Sequence, residues 1–339
     1  MLLCPAAGGE RRLNGRDISS FRQEFFGGIP FTKPLWNLRL RPPVLKSSFE
    51  PHTFNATDFG IVCLQTDLAL SEMSEDCLII NVLRPSGVSH QAKLPVIVRY
   101  GGGFTVGNLR QPGERNRALL KVSLGGHLTG ALNLGINDQL AALKWVQLPI
   151  EKFGDKDKVT VFGQSAGSIM TFILLNSPLH GLARAAILEF ESQATTGIFT
   201  PERREDDWQH FVGGVALQTR PQYFKASASL AEATEIVPWA PALDGREGLI
   251  PDLPSVLPKR EQFVRLPFIA GTVECAWIHS PLIFRYPGTT LTPTTLNTTD
   301  ELHAAVVALS FPSSSPATLE KSIEILLQLY PDVPALGFM

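Results

Sequence analysis

The sequence predicts an α/β fold with a mostly parallel central sheet and helices on both faces. Short apolar runs bounded by turn residues recur along the chain, and helix-like amphipathic segments lie between several of them. Near-continuous apolar strands are typical of parallel sheets, because both faces of such sheets are buried. The 339 residues, 44% of them hydrophobic, can fill a sizeable core. No boundary divides the chain, so we predict a single domain over residues 1–339.

The predicted strands are apolar runs of four to seven residues at 77–83, 94–100, 159–162, 184–190 and 266–271. One predicted helix covers residues 136–153, where Ile136, Leu140, Leu143 and Val146 recur near helical spacing. Asn137 or Asp138 is the expected cap of this helix. A second predicted helix covers residues 166–177, directly after the strand at 159–162.

A serine flanked by glycines lies between that strand and the second helix. Residues 163–167 read Gly-Gln-Ser-Ala-Gly. In this context a sharp turn lifts the serine hydroxyl above the sheet, and the glycines allow the chain to double back closely. Ser165 is therefore a candidate nucleophile. The alternative is that Ser165 is one more small residue in a turn that enters a helix.

Three consecutive glycines follow the strand at 94–100. Glycine backbone N–H groups can approach a substrate oxygen without side-chain interference. We predict that the N–H groups of Gly102, Gly103 and Ala166 form an oxyanion hole. A dinucleotide-binding loop is the competing interpretation, but the spacing of Gly101, Gly103 and Gly107 does not fit that fingerprint.

Charge and hydropathy exclude some partners. The formal net charge is −2 and no lysine or arginine run forms a basic stripe, so nucleic acid is not an expected partner. No stretch approaches 18 consecutive apolar residues, and the first residues lack the features of a signal peptide.

Serine-based chemistry requires neither a metal ion nor an organic cofactor, and none is predicted. The oligomeric state is left open.

Two features concern the cellular compartment. A bond between Cys63 and Cys77 would stabilise the fold by about 3 kcal/mol in an oxidising compartment. The spacing alone is equally compatible with two reduced thiols. Asn55 and Asn297 begin Asn-X-Thr sequences and are candidate glycosylation sites.

With these segments placed, the chain resembles the type-B carboxylesterases, the cholinesterase-like branch of the α/β-hydrolase fold, and most closely their fungal members. The matching segments occur in the family's order, at residues 26–43, 74–85, 94–108, 133–168 and 240–255. The resemblance implies hydrolysis of a small-molecule or lipid ester through an acyl-serine. It also implies a Cys63–Cys77 disulfide and a secreted ancestry.

The resemblance implies a catalytic triad in the order Ser, acid, His, and here the chain departs from the pattern. The matching stretch at 269–280 leaves Glu274 as the candidate acid, although a solvent-facing glutamate is the alternative. Only His279 and His303 follow Glu274, and neither is expected to be the base.

We therefore expect a C-terminally truncated chain and a weak or inactive esterase, because a serine without its base is a poor nucleophile. The alternatives are a non-catalytic cholinesterase-like binding protein and an inactive fragment. Asp244 and Asp252 also follow the serine, and the resemblance assigns them no catalytic part.

Overall fold

The computed structural model divides the chain into two compact units, residues 1–230 with 237–272, and residues 231–236 with 273–339. The single domain expected for residues 1–339 stays a prediction. The structure describes residues 2–6, 9–34, 38, 40–46, 53–65, 68–89, 91–101, 132–148, 154–175, 179, 181–189, 198, 200–205, 209, 241–271, 285–286, 289–290 and 316–329.

The described strands and helices are numbered in chain order. The strands are β1 (Leu2–Ala6), β2 (Gly9–Asn14), β3 (Arg16–Ile18), β4 (Gln23–Pro30), β5 (Thr53–Asn55), β6 (Ile79–Pro85), β7 (Val96–Tyr100), β8 (Val159–Gln164), β9 (Ala185–Glu189), β10 (Phe268–Gly271), β11 (Arg285–Tyr286) and β12 (Thr289–Thr290). The helices are α1 (Leu134–Val146), α2 (Ala166–Leu175) and α3 (Pro316–Leu329). The second unit contains β11, β12 and α3.

The central sheet of the first unit has the described order β7-β8-β9-β10, and each pair of neighbours is parallel. Val96 of β7 lies opposite Val159 of β8, and Thr160 lies opposite Ala185 of β9. These are four of the five runs that the sequence predicts as strands. The parallel sheet and its helices confirm the predicted α/β class.

The fifth predicted run, at 77–83, forms β6 in a different sheet. Here β4 pairs antiparallel with both β3 and β6. A further sheet joins β1 antiparallel to β2 and β2 parallel to β5. The apolar pattern of residues 77–83 indicates a strand but carries no information about which neighbour it pairs with.

The core of the first unit lies between the central sheet and its helices. Alternate residues of β8 are buried because one face of the strand packs into the core, and Val159 and Val161 on this face are fully enclosed. Ile136 and Leu143 of α1 and Met170 of α2 are likewise fully buried. The helical spacing found in the sequence therefore marks the face of α1 that packs into the core.

Helix α1 begins earlier than predicted. Its N-cap is Asn133, which has the left-handed φ of 55° and makes no side-chain capping bond. Asn137 lies inside the helix, where its Nδ2 donates to the carbonyl oxygen of Asn133 at 3.2 Å. The expected cap at Asn137 or Asp138 is therefore wrong.

Cys63 and Cys77 form a disulfide with their Cα atoms 5.0 Å apart, which confirms that prediction. Both cysteines are buried and pack against Leu78. Among the described residues, no helix is long and apolar enough to span a bilayer.

Candidate active site

Ser165 occupies the single residue between the end of β8 and the start of α2. Its φ is +53°, a left-handed conformation that costs a residue with a Cβ about 1–2 kcal/mol. Both its backbone N–H and its backbone C=O make hydrogen bonds. The N–H donates to the carbonyl oxygen of Glu189 at 3.0 Å, and the C=O accepts from Ser168 at 2.8 Å and from Ile169 at 3.1 Å. The half-buried serine is thus fixed at the carboxyl end of the parallel sheet.

Both glycines of the motif, Gly163 and Gly167, lie so close to other backbone atoms that a side chain would not fit. A Cβ on Gly163 would overlap the carbonyl oxygen of Gly167. A Cβ on Gly167 would lie 2.5 Å from the carbonyl oxygen of Tyr100 and 2.6 Å from that of Gly101. Real Cβ atoms do not approach oxygen this closely, so a larger residue would displace either β7 or α2.

The backbone N–H of Ala166 is the part of the predicted oxyanion hole that the structure describes. Ala166 is fully buried and is the first residue of α2. The first N–H groups of a helix have no intrahelical acceptor, and no acceptor for Ala166 is found in the described part of the chain. A buried N–H at the positive end of a helix favours a negatively charged oxygen beside it.

Tyr100 is the last residue of β7 and directly precedes the buried Gly101. Its hydroxyl donates to the carbonyl oxygen of Gln139 on α1 at 2.8 Å. Burial raises the pKa of the Tyr100 phenol well above its ordinary value, so the phenol remains neutral. Tyr100 therefore links the strand that precedes the glycine run to α1.

Several predicted site residues lie outside the described part of the chain, and their roles stay predictions. These are Gly102, Gly103, Glu274 and Asn297. All seven histidines, including His279 and His303, also lie outside the described residues. Ser165 and Ala166 are consecutive residues at the β8–α2 turn. Asn55 is exposed at the end of β5, and its Oδ1 accepts from the Thr57 hydroxyl at 2.9 Å.

Asp244 has a structural role. Its Oδ1 accepts from the N–H of Ile250 at 2.6 Å, and its Oδ2 accepts from the N–H of Leu249 at 3.0 Å and from Nδ2 of Asn133 at 2.9 Å. Asn133 also exchanges two hydrogen bonds with the backbone of Ala242, at 2.8 and 2.9 Å. This cluster anchors the start of α1, and no local pattern in the sequence indicates it.

The second aspartate behaves differently. Asp252 pairs with Arg260 at 2.6 Å, and the arginine side chain is largely exposed. Within the described ranges, no three His, Cys, Asp or Glu side chains come together in a group that could hold a metal ion.

A sequence profile described as the carboxylesterase family matches residues 8–121 and 123–280. A secreted lipase of Arthroderma benhamiae is 28% identical over 91% of this chain and 61% of the lipase. Carboxylesterase 1E of Rattus norvegicus is 27% identical over 87% of this chain and 63% of the rat protein. The chain thus spans about three fifths of the length of these two relatives.

Two solved structures have a similar fold. The carboxylesterase EST55 of Geobacillus stearothermophilus aligns with a TM-score of 0.65 and 25% identity, covering 80% of this chain and 63% of the other. A structure described as PNB esterase aligns with a TM-score of 0.70 and 25% identity, covering 97% of this chain and 75% of the other.

Proposed function

The chain belongs to the carboxylesterase family, and from this premise we propose that it cleaves carboxylic esters through Ser165. Ser165 Oγ attacks the carbonyl carbon of the ester, the bond to the alcohol oxygen breaks, and the alcohol leaves with a proton. Water then attacks the acyl-serine and releases the acid. Neither step requires a metal ion or an organic cofactor.

The observation that carries this proposal is the conformation of Ser165 beside the N–H of Ala166. The serine has a φ of +53° between β8 and α2, and the adjacent buried N–H has no acceptor among the described residues. A tetrahedral intermediate formed on Oγ would place its negative oxygen near such a donor. One oxyanion donor of this kind contributes about 2.7–4 kcal/mol to transition-state stabilisation.

The remaining roles in this proposal fall on residues outside the described part of the chain. Gly102 and Gly103 are the other proposed oxyanion donors, because they follow Gly101 at the end of β7. Glu274 is the proposed acid. The contact of Tyr100 and Gly101 with Gly167 supports the first assignment, since it brings the start of the glycine run next to the first turn of α2.

We propose that the activity of this chain is weak. No histidine is assigned as the general base, and loss of a triad member removes orders of magnitude in kcat while the oxyanion hole still contributes. The second candidate function is the alternative named from the sequence, a non-catalytic binding protein built on the esterase fold.

The substrate is proposed to be a small-molecule or lipid ester, because the relatives are named as carboxylesterases and a lipase. Secretion and glycosylation at Asn55 and Asn297 belong to the same proposal. The named secreted lipase and the Cys63–Cys77 disulfide support the secretion.

A fluorophosphonate probe with an intact-mass readout tests the proposal. We expect a single adduct that is absent from Ser165→Ala and retained by Ser168→Ala, whose serine lies fully buried in the same helix. Slow adduct formation relative to a control esterase supports the weak enzyme. If no adduct forms while the control esterase is labelled, the enzyme proposal is overturned.

A further inference from the structure

Glu189 holds the Ser165 turn through its backbone, and its side chain takes no part in that contact. The N–H of Ser165 donates to the carbonyl oxygen of Glu189 at 3.0 Å. With the covalent bonds on either side of this hydrogen bond, the two Cα atoms are no more than about 7 Å apart. The side chain of Glu189 therefore begins beside the candidate nucleophile.

The strand register places Glu189 at the carboxyl edge of the central sheet. Gln164, the last residue of β8, lies opposite Glu189, the last residue of β9. Residues that lie opposite each other in neighbouring strands project from the same face of a sheet. In open α/β sheets, ligands bind outside the carboxyl ends of the strands. Glu189 thus lies at the edge where a substrate of Ser165 would bind.

Glu189 brings a negative charge to this edge. The four described strands of the central sheet end at Tyr100, Gln164, Glu189 and Gly271, and of these four residues only Glu189 is charged. Glu189 is exposed at the end of its strand, and an exposed glutamate is ionised at neutral pH.

No cation pairs with the Glu189 carboxylate in the part of the chain that the structure describes. Arg99 of β7 projects from the same face of the sheet, because it lies opposite Phe162 and Phe162 is two residues before Gln164. Its guanidinium lies over the ring of Phe162, 4.7 Å from the ring centroid. Arg99 is thus engaged on the sheet face, behind the edge at which Glu189 lies.

An ester that carries a negative charge brings this charge towards Glu189 when it reaches Ser165. At low ionic strength, repulsion over about 7–10 Å lowers the rate of attack on such an ester by about twofold to tenfold. A neutral ester is not repelled, and a cationic ester is attracted. We propose that Glu189 is a specificity-determining residue that selects neutral and cationic esters over anionic esters at Ser165. This inference rests on the proposed ester hydrolysis at Ser165.

Charged thiol reagents measure the electrostatic effect of Glu189 at residue 165 without reference to ester hydrolysis. In Ser165→Cys, the thiolate attacks a methanethiosulfonate reagent, a mixed disulfide forms and methanesulfinate leaves. Two reagents of similar size are compared, one with a trimethylammonium group and one with a sulfonate group. Their rates are followed by the mass of the peptide that contains residue 165, so Cys4 and Cys275 do not interfere. The ratio of the two rates cancels the reactivity of the thiol itself.

Glu189→Gln removes the charge but retains the side-chain size and the backbone bond to Ser165. In the Ser165→Cys protein at about 20 mM ionic strength, we expect it to lower the cation-to-anion rate ratio at least about fourfold, and less in about 0.5 M salt. Asp157→Asn is the matched control, because Asp157 is exposed and precedes β8, at the opposite end of the strand, about 20 Å from Ser165. Equal ratios in the two variants, or an effect that does not respond to salt, would overturn the proposal.

A second measurement remains available if Ser165→Cys does not fold. A neutral fluorophosphonate and an analogue of similar size that carries a carboxylate are compared on the unsubstituted protein, Glu189→Gln and Asp157→Asn. We expect the neutral-to-anionic ratio of labelling rates to fall at least about twofold in Glu189→Gln alone. An unchanged ratio in Glu189→Gln would overturn the specificity role and leave the hydrolysis intact.

The two measurements separate the failure of this inference from the failure of the proposed hydrolysis. If neither fluorophosphonate labels Ser165 while a control esterase is labelled, the hydrolysis is overturned and the specificity role with it. A thiol-reagent ratio that still responds to Glu189→Gln would then show a charged edge without the activity.

Discussion

Ser165 donates its backbone N–H to the carbonyl oxygen of Glu189 at 3.0 Å. This bond attaches the β8–α2 turn to the last residue of the neighbouring strand β9. The turn holds Ser165 at a φ of +53°, so the conformation is fixed by contacts with other elements and is not preferred by the serine itself. The fold thus imposes the strained conformation of this turn.

Two substitutions that both remove the Ser165 hydroxyl isolate the strain of the turn. Ser165→Gly removes the Cβ that disfavours the left-handed conformation, whereas Ser165→Ala keeps it. We expect Ser165→Gly to unfold with a free energy about 1 kcal/mol higher than that of Ser165→Ala, measured by urea denaturation. Equal stability of the two variants would show that the turn stores no strain.

A substitution at Gly167 tests the close packing of β7 against α2. In Gly167→Ala the added Cβ would lie 2.5 Å from the carbonyl oxygen of Tyr100, so we expect the free energy of unfolding to fall by about 1–3 kcal/mol and fluorophosphonate labelling to be lost. Gly271→Ala is the matched control, because a Cβ added there, at the end of β10, would have no described atom within 4 Å. A change below about 0.5 kcal/mol is expected for the control.

The two aspartates that follow the serine should differ in their contribution to stability. Asp244→Ala leaves three donors without their acceptor, on Ile250, Leu249 and Asn133, and should lower the free energy of unfolding by about 2–4 kcal/mol. Asp252→Ala breaks an exposed pair with Arg260 and should cost less than about 1 kcal/mol. Urea denaturation of both variants measures the difference, and equal effects would contradict the structural role of Asp244.

Because of the disulfide, the free energy of unfolding should differ between solutions with and without a reductant. Cys63 and Cys77 are 14 residues apart, and cross-linking a loop of this size stabilises a protein by about 3 kcal/mol. We expect reduction to lower the free energy of unfolding by about that amount. The double variant Cys63→Ala/Cys77→Ala provides the control, because its urea midpoint should not respond to reductant. A midpoint of the unsubstituted protein that is the same with and without reductant would count against this expectation.

The sequence predicts local elements well because their signals are local. The apolar runs give the strands, and the Gly-X-Ser-X-Gly spacing predicts the sharp turn at Ser165, where Gly163 lies against the backbone of Gly167 within the turn itself. Asn133 shows the opposite case. Its side chain binds Ala242 and Asp244, which are 109 and 111 residues away, and no local pattern marks such a partner. The predicted start of α1 is wrong for this reason.

Strand pairing is another property that local patterns do not fix. Residues 77–83 have the apolar content of a strand of the central sheet, yet β6 pairs antiparallel with β4. Hydrogen bonds between strands involve only backbone groups, which are nearly the same for every residue type, so the partner is decided by the fold as a whole. A catalytic acid and base would present a similar problem in any serine hydrolase, because they reach the serine only through the arrangement of separate loops.

Tyr100 should make the stability of the protein fall at alkaline pH. Its buried hydroxyl donates to the carbonyl oxygen of Gln139, and burial raises the pKa of the folded phenol above that of an unfolded tyrosine, which is about 10. Above about pH 10 the unfolded chain loses this proton while the folded chain keeps it. Stability is then fully present below that pH and falls by about 1.4 kcal/mol per pH unit above it.

Comparison with Tyr100→Phe isolates this contribution, because the other tyrosines titrate in both proteins. At pH 7 the unsubstituted protein should be more stable by about 1 kcal/mol, the typical net contribution of one hydrogen bond. Since each pH unit above about 10 removes about 1.4 kcal/mol from the unsubstituted protein alone, the difference should vanish near pH 11. Urea denaturation of both proteins between pH 7 and 11 measures it. A difference that stays constant over this range would show that the Tyr100 phenol ionises equally in the folded and unfolded states.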